Sequence, residues 1–148
     1  MAKLTVTYRC GHEIHEVRFG GKYDQQLDDA KNHLDCPDCY RASQAHIRQD
    51  AAAQRLAQIA HVNPCPLQGS EKQIAWATDI RSHILIDVLD TMQRMTKPED
   101  EDRKARLLTL LTTEPSAKWW IDRRDQPPLR LAAEVAKAHG LIHDRPGI

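Results

Sequence analysis

Cys10-Gly11-His12 and, further along, Cys36-Pro37-Asp38-Cys39 constrain this chain more than any other feature of it. Two close pairs of thiol and imidazole donors, separated by a linking segment, are what a tetrahedral Zn²⁺ site needs. Each pair offers two ligands from one tight turn, and the intervening chain brings the turns together. Gly11 and Pro37 lie inside these turns, one conformationally permissive and the other fixed in φ. The competing reading of Cys-x-x-Cys is a thioredoxin-like redox pair, which expects a buried strand before the motif. Asp28 to Asp35 carries too much charge to be one. Disulfide stapling is the weaker alternative, because Met1–Gly20 has no signal-peptide core and a reducing cytoplasm is the expected setting.

Three of the four zinc ligands are then Cys10, Cys36 and Cys39. His12 is the natural fourth, since Cys-x-His places both side chains at one turn, with His15, His33 and Cys65 as rivals. Four protein ligands close a zinc site and leave no position for water or substrate, so the expected role is structural. His12-Glu13-Ile14-His15-Glu16 looks superficially like a metalloprotease helix. That chemistry needs histidines at i and i+4, whereas here the second comes at i+3, inside a segment that reads as a strand.

The pattern predicts a mainly α protein with a small α+β, zinc-ribbon-like N-terminal unit and a helical bundle in its C-terminal part. Leu4, Val6 and Tyr8 alternate with Thr5 and Thr7 as a half-buried strand. Ile14 to Phe19 supplies a second, stopped by Gly20-Gly21, so that a hairpin carries the first knuckle at its tip. Tyr23 to Leu34 reads as a short polar helix leading to the second knuckle. Residues 1–40 are too few for a self-sufficient core, and metal binding would supply the missing folding free energy.

Residues 41–62 continue as a connecting helix, Ala- and Gln-rich and free of Gly and Pro. Arg41, Arg48 and Arg55 recur every seven residues and so share a face, which reads either as a solvated surface or as a basic ridge for a partner. Residues 63–69, Asn-Pro-Cys-Pro-Leu-Gln-Gly, read as a linker. Residues 70–148 form a small helical domain, opened by the capping box Ser70-Glu71-Lys72-Gln73. Ile80, Ile84, Leu85, Val88, Met92 and Met95 then mark a core-facing stripe running to about Met95. Pro98 starts another helix whose Leu107, Leu108 and Leu111 complete the core, with the acidic run 99–102 complementing its dipole. Glu114-Pro115 opens a shorter helix through Arg124. Leu129 to His139 forms the last, capped by Gly140. Trp76-x-x-Asp79-x-Arg81 and Trp119-x-x-Asp122-x-Arg124 echo one another, too briefly to establish a repeat. At least one of Trp76, Trp119 and Trp120 belongs to the core.

Three patches, Tyr8 to Glu13 with Leu34 to Arg41, Gly69 to Ala77, and Ser116 to Asp122, together resemble a family of small bacterial proteins carried by phages and other mobile elements. Members pair an N-terminal zinc knuckle with a helical region. The resemblance implies Cys10, His12, Cys36 and Cys39 as the zinc set and leaves Cys65 without a role. It also implies a place in the bacterial host cytoplasm, where such proteins can inhibit host defence complexes.

Lys and Arg number 21 and Asp and Glu also 21. Zero net charge argues against coating nucleic acid or membrane through bulk charge. No apolar run is long enough to span a bilayer. No nucleophile, base and orienter converge by any testable motif, and no phosphate-cradling Gly loop is present. The expectation is therefore a non-enzymatic, zinc-stabilised protein that binds a macromolecular partner, protein before nucleic acid. Arg41, Arg48, Arg55, Trp119, Arg123 and Arg124 are the candidate contact residues, since Arg and Trp dominate binding hot spots. The alternative is a zinc-knuckle nucleic-acid-binding accessory or regulator. Acidic residues throughout the zinc unit (Asp24, Asp28, Asp29, Asp35, Asp38) weigh against it.

Overall fold

Alternation of apolar and β-branched residues is realised in the first element of the computed structural model, which describes residues 2–18 and 22–142. Strand β1 (Ala2–Thr7) pairs antiparallel with β2 (Glu13–Arg18), Val6 opposite Ile14 and Thr5 opposite His15. Phe19 and the expected stop at Gly20-Gly21 lie outside the described residues. Helix α1 (Tyr23–His33) packs against β1. Helix α2 (Pro37–Ile59) follows and ends in a 3₁₀ turn, Ala60–Val62. Asn63 closes that turn in the left-handed conformation at φ 47°, a role Asn fills more readily than other side-chain-bearing residues.

The capping box works as the sequence reading expects. Ser70 Oγ accepts the Gln73 amide at 3.3 Å and Gln73 Oε1 accepts the Ser70 amide at 3.0 Å, opening α3 (Glu71–Arg94). A 3₁₀ turn, Pro98–Asp100, leads into α4 (Glu101–Thr112). Helix α5 is shorter than expected, Ala117–Asp122 rather than 114–124. The reason is local: Ser116 Oγ accepts the Trp119 amide at 3.2 Å and so takes the N-cap position, while Glu114 turns back to accept the Ser116 amide at 2.9 Å. Helix α6 (Pro128–Ala138) begins with proline in its first turn, where the missing amide costs nothing, and Gly140 at φ 67° follows its end.

The chain divides into two compact units, residues 1–51 and 52–148, with the division inside α2. Among the described residues, the buried core of the first unit is Val6, Tyr8, Ala30 and Cys36. In the second, α3 packs on α5 and α6, and α4 on α6. Its core holds Ile59, Ile84, Leu85, Val88, Leu111, Trp120 and Leu131, with Ile80, Leu107, Leu108 and Trp119 packed partly against it. Trp120 is fully buried, edge-on to Trp119 at 4.9 Å between ring centroids, and its indole N–H donates to the Glu114 carbonyl.

Residues 63–69, expected as a linker, are instead fastened into the second unit. The Cys65 amide donates to Thr112 O at 2.8 Å. The Gln68 amide donates to Pro115 O, and Gln68 O accepts the Ala117 amide. Gly69 permits this closeness, because a Cβ there would meet Ala117 Cβ at 3.0 Å.

Candidate metal centre

The turn between β1 and β2 closes through the Gly11 amide, which donates to Tyr8 O, and the Tyr8 amide, which donates to His12 O. Gly11 sits at φ 82°, a conformation that glycine adopts without steric cost. Cys10 and His12 therefore project from one tight loop. The second loop is built differently. Cys36 stands just ahead of α2, its carbonyl accepting the Tyr40 amide and its sulfur accepting the Cys39 amide at 3.4 Å. The Cys36 sulfur thus occupies the place of an N-cap oxygen at the start of a helix. That is why α2 begins at Pro37, four residues before the expected start at Arg41.

These two loops bring Cys10, His12, Cys36 and Cys39 together, with one donor atom from each lying within 4.8 Å of all the others. His12 Nδ1 faces the three sulfurs, at 3.5 Å from Cys10, 3.5 Å from Cys36 and 3.2 Å from Cys39. A tetrahedron built on zinc–sulfur bonds of about 2.3 Å and zinc–nitrogen bonds of about 2.0–2.1 Å has nitrogen–sulfur edges of about 3.6 Å. Donor set and spacing both fit zinc. Of the rivals for fourth ligand, His15 bonds through Nδ1 to Thr5 Oγ1 at 2.9 Å on the strand pair. Cys65 is held through its backbone in the second unit, and neither it nor His33 belongs to the cluster.

The three thiols are not equivalent. Amides of Cys36 and His12 hold the Cys10 thiol down to about 6, the Cys36 amide donating to its sulfur at 3.4 Å. Cys39 is pushed up to about 12 by its hydrogen bond to the Cys36 sulfur, by burial and by neighbouring Cys10. Before a cation enters, negative charge collects on Cys10 and Cys39 keeps its proton.

An ion pair joins the two knuckles, and sequence reasoning missed it. Arg9 forks onto Asp35, Nε to Oδ1 at 3.2 Å and Nη2 to Oδ2 at 2.8 Å, so each partner immediately precedes a knuckle cysteine. The Arg9 amide also donates to Leu34 O and Ala30 O at the end of α1. Asp35 raises the Arg9 pKa through this bond. The available signal was the repetition of a charged residue before each first cysteine, Arg9-Cys10 and Asp35-Cys36, with opposite signs.

The candidate contact residues do not form one set. Arg41 is exposed and pairs with Asp38. Arg48 is exposed on α2. Arg55 corrects the expected ridge, because its side chain is only 22% exposed and pairs with Asp79 of α3 within the second unit. Its charge is spent internally. The Trp-x-x-Asp-x-Arg echo is not a structural repeat either. Trp76 is exposed, whereas Trp119 is half-buried beneath Arg123, whose guanidinium lies 4.3 Å from the ring centroid. Arg81 is buried and donates to Cys65 O at 2.7 Å, while Arg124 lies over Trp76. Among the described residues no helix is long and apolar enough to cross a membrane.

No family model, curated protein or solved structure matches the chain.

Proposed function

We propose that this is a zinc-stabilised interaction protein that acts by binding a macromolecular partner, a protein before a nucleic acid, and not by turnover. The observation that carries this reading is the completeness of the donor set. Three thiolates and one imidazole satisfy a tetrahedral zinc with protein ligands alone, which suits a structural ion that ties small loops together. When bound, zinc supplies cross-linking free energy to a unit whose buried core, among the described residues, is Val6, Tyr8, Ala30 and Cys36. Cys36 joins the two roles, as a ligand and as a member of that small core. The zero net charge and the internal pairing of Arg55 favour a protein partner over a phosphate backbone. The mobile-element setting, with a host defence complex as target, belongs to this proposal through the sequence resemblance only, as does the bacterial cytoplasm.

The test is a gel-shift series with random-sequence 40-mer DNA and RNA at several salt concentrations, run beside native mass spectrometry of complexes isolated with the zinc-loaded chain. The expected result is a stoichiometric complex with one protein species and no salt-dependent shift. A strong shift whose log affinity falls linearly with log salt would move the protein to the nucleic-acid class. Multiple turnover of a substrate would overturn the reading altogether.

A further inference from the structure

Among the arginines of α3 to α6 and their connections that are not buried, Arg123, itself half-buried, is the exception. Arg94, Arg103, Arg106, Arg124 and Arg130 each stand within 4.0 Å of a carboxylate. Arg123 instead lies on the Trp119 ring and donates through Nη1 to Trp119 O at 3.2 Å, with no carboxylate paired to it among the described residues. A guanidinium stacked on an indole is held flat, and its remaining in-plane N–H groups match the fork of a carboxylate.

Beside it lies a hollow of about 220 Å³ walled by Trp119, Arg123, Leu131, Glu134, Val135 and His139. Glu134 is answered by Arg130 at 3.3 Å, so the Arg123 charge is the one left over. A second hollow of about 200 Å³ shares Trp119, Val135 and His139, and is also lined by Leu110, Leu111 and Glu114. Each is smaller than the ~300–1,000 Å³ typical of small-molecule sites, which suits single side chains of a macromolecule better than a metabolite. The more apolar hollow between α3, α4 and α6 has no comparable charge to offer, because Arg103 and Lys104 at its edge are tied to Asp100 and Glu101.

We propose that the Trp119–Arg123 groove docks an acidic segment of a protein partner, one carboxylate forking onto Arg123 and a neighbouring large apolar side chain filling the hollow floored by Leu110 and Leu111. This rests on the interaction reading above and names the surface and the partner's chemistry.

Selection from a random dodecapeptide library on the zinc-loaded chain tests it. Enriched peptides should carry Asp or Glu beside Leu, Phe or Trp, and should shift the NMR signals of Trp119 and His139. Arg123→Gln should weaken them about tenfold or more, Arg123→Lys should recover part of the loss, and Arg94→Gln on α3, which removes an exposed arginine paired with Asp90, should change nothing. Zinc content and melting temperature should stay constant across the three variants. Enriched peptides without acidic residues, acidic ones indifferent to Arg123→Gln, or signals shifting elsewhere would each overturn the proposal. If Arg123→Gln impairs folding, the shift map on the unaltered chain decides. A native protein partner that still binds the Arg123→Gln chain would remove this groove while leaving the interaction reading in place.

Discussion

Chelating the metal should unfold residues 2–36 and leave the second unit standing, and the chain carries its own optical probes for the distinction. All three tyrosines (Tyr8, Tyr23, Tyr40) fall in the first unit, and all three tryptophans (Trp76, Trp119, Trp120) in the second. Among the described residues the first unit's buried core is Val6, Tyr8, Ala30 and Cys36, the last itself a candidate ligand. A structural zinc contributes about 10–16 kcal/mol to small zinc modules, as much as the ~5–15 kcal/mol net stability of a whole ordinary domain. Removing it leaves a two-stranded sheet and one short helix, a combination too small to persist alone. In excess chelator, amide exchange across β1, β2 and the 11 residues of α1 should accelerate to nearly unprotected rates. Far-ultraviolet circular dichroism should lose the α1 share of the helical signal. Tryptophan emission should not move, and its thermal transition should stay where it was. Cys36→Ser should reproduce this at any zinc concentration, since a neutral hydroxyl replaces a thiolate. Protection of α1 that survives chelation would refute the reasoning. So would a tryptophan shift that tracks metal loss.

Two further outcomes concern the same centre. Because Cys39 is pushed up to about 12, zinc must expel its proton, so affinity rises with pH between about 6 and about 12. Chelator competition at pH 6.5 and 7.5 should show a gain of at least about tenfold, and an affinity independent of pH would contradict the assigned ligands. Asp35→Ala should lower zinc affinity by about 10–100-fold, the range for loss of an outer-shell support, with all four ligands retained. An unchanged competition curve would reduce the Arg9–Asp35 fork to surface decoration.

Much of this was legible in the residues because the relevant physics is local. The two knuckles announce themselves by donor type and spacing. The capping box at Ser70 and the stripe through Ile84, Leu85 and Val88 follow from helical period, which does not depend on what lies opposite. The misreadings share a different cause. Helix α2 starts early because a cysteine sulfur serves as its cap, a role the usual Ser, Thr, Asp or Asn signal does not include. Helix α5 starts late because Ser116 competes with Pro115 for the first turn, and only the fold decides between them. Arg55 belongs by period to an exposed face, but Asp79 stands opposite it and turns its charge inward. Pro64 and Pro66 make residues 63–69 look like a loose connection, since sequence cannot show the carbonyls of Thr112 and Pro115 waiting for their amides.

Those seven residues decide where the molecule can be cut. Arg81, 7% exposed, has burial pushing its pKa down and no carboxylate beside it among the described residues. The Cys65 carbonyl at 2.7 Å is its neutral partner, and an unpaired buried guanidinium is strongly destabilising. A fragment begun at residue 70, where the capping box invites an engineer to start, would remove that carbonyl and also Ile59 from the core. A fragment begun at 52 keeps Arg55 on Asp79, Ile59 in its packing and Cys65 over Arg81. The practical boundary of the helical half therefore lies within α2, well before the prolines that punctuate the sequence.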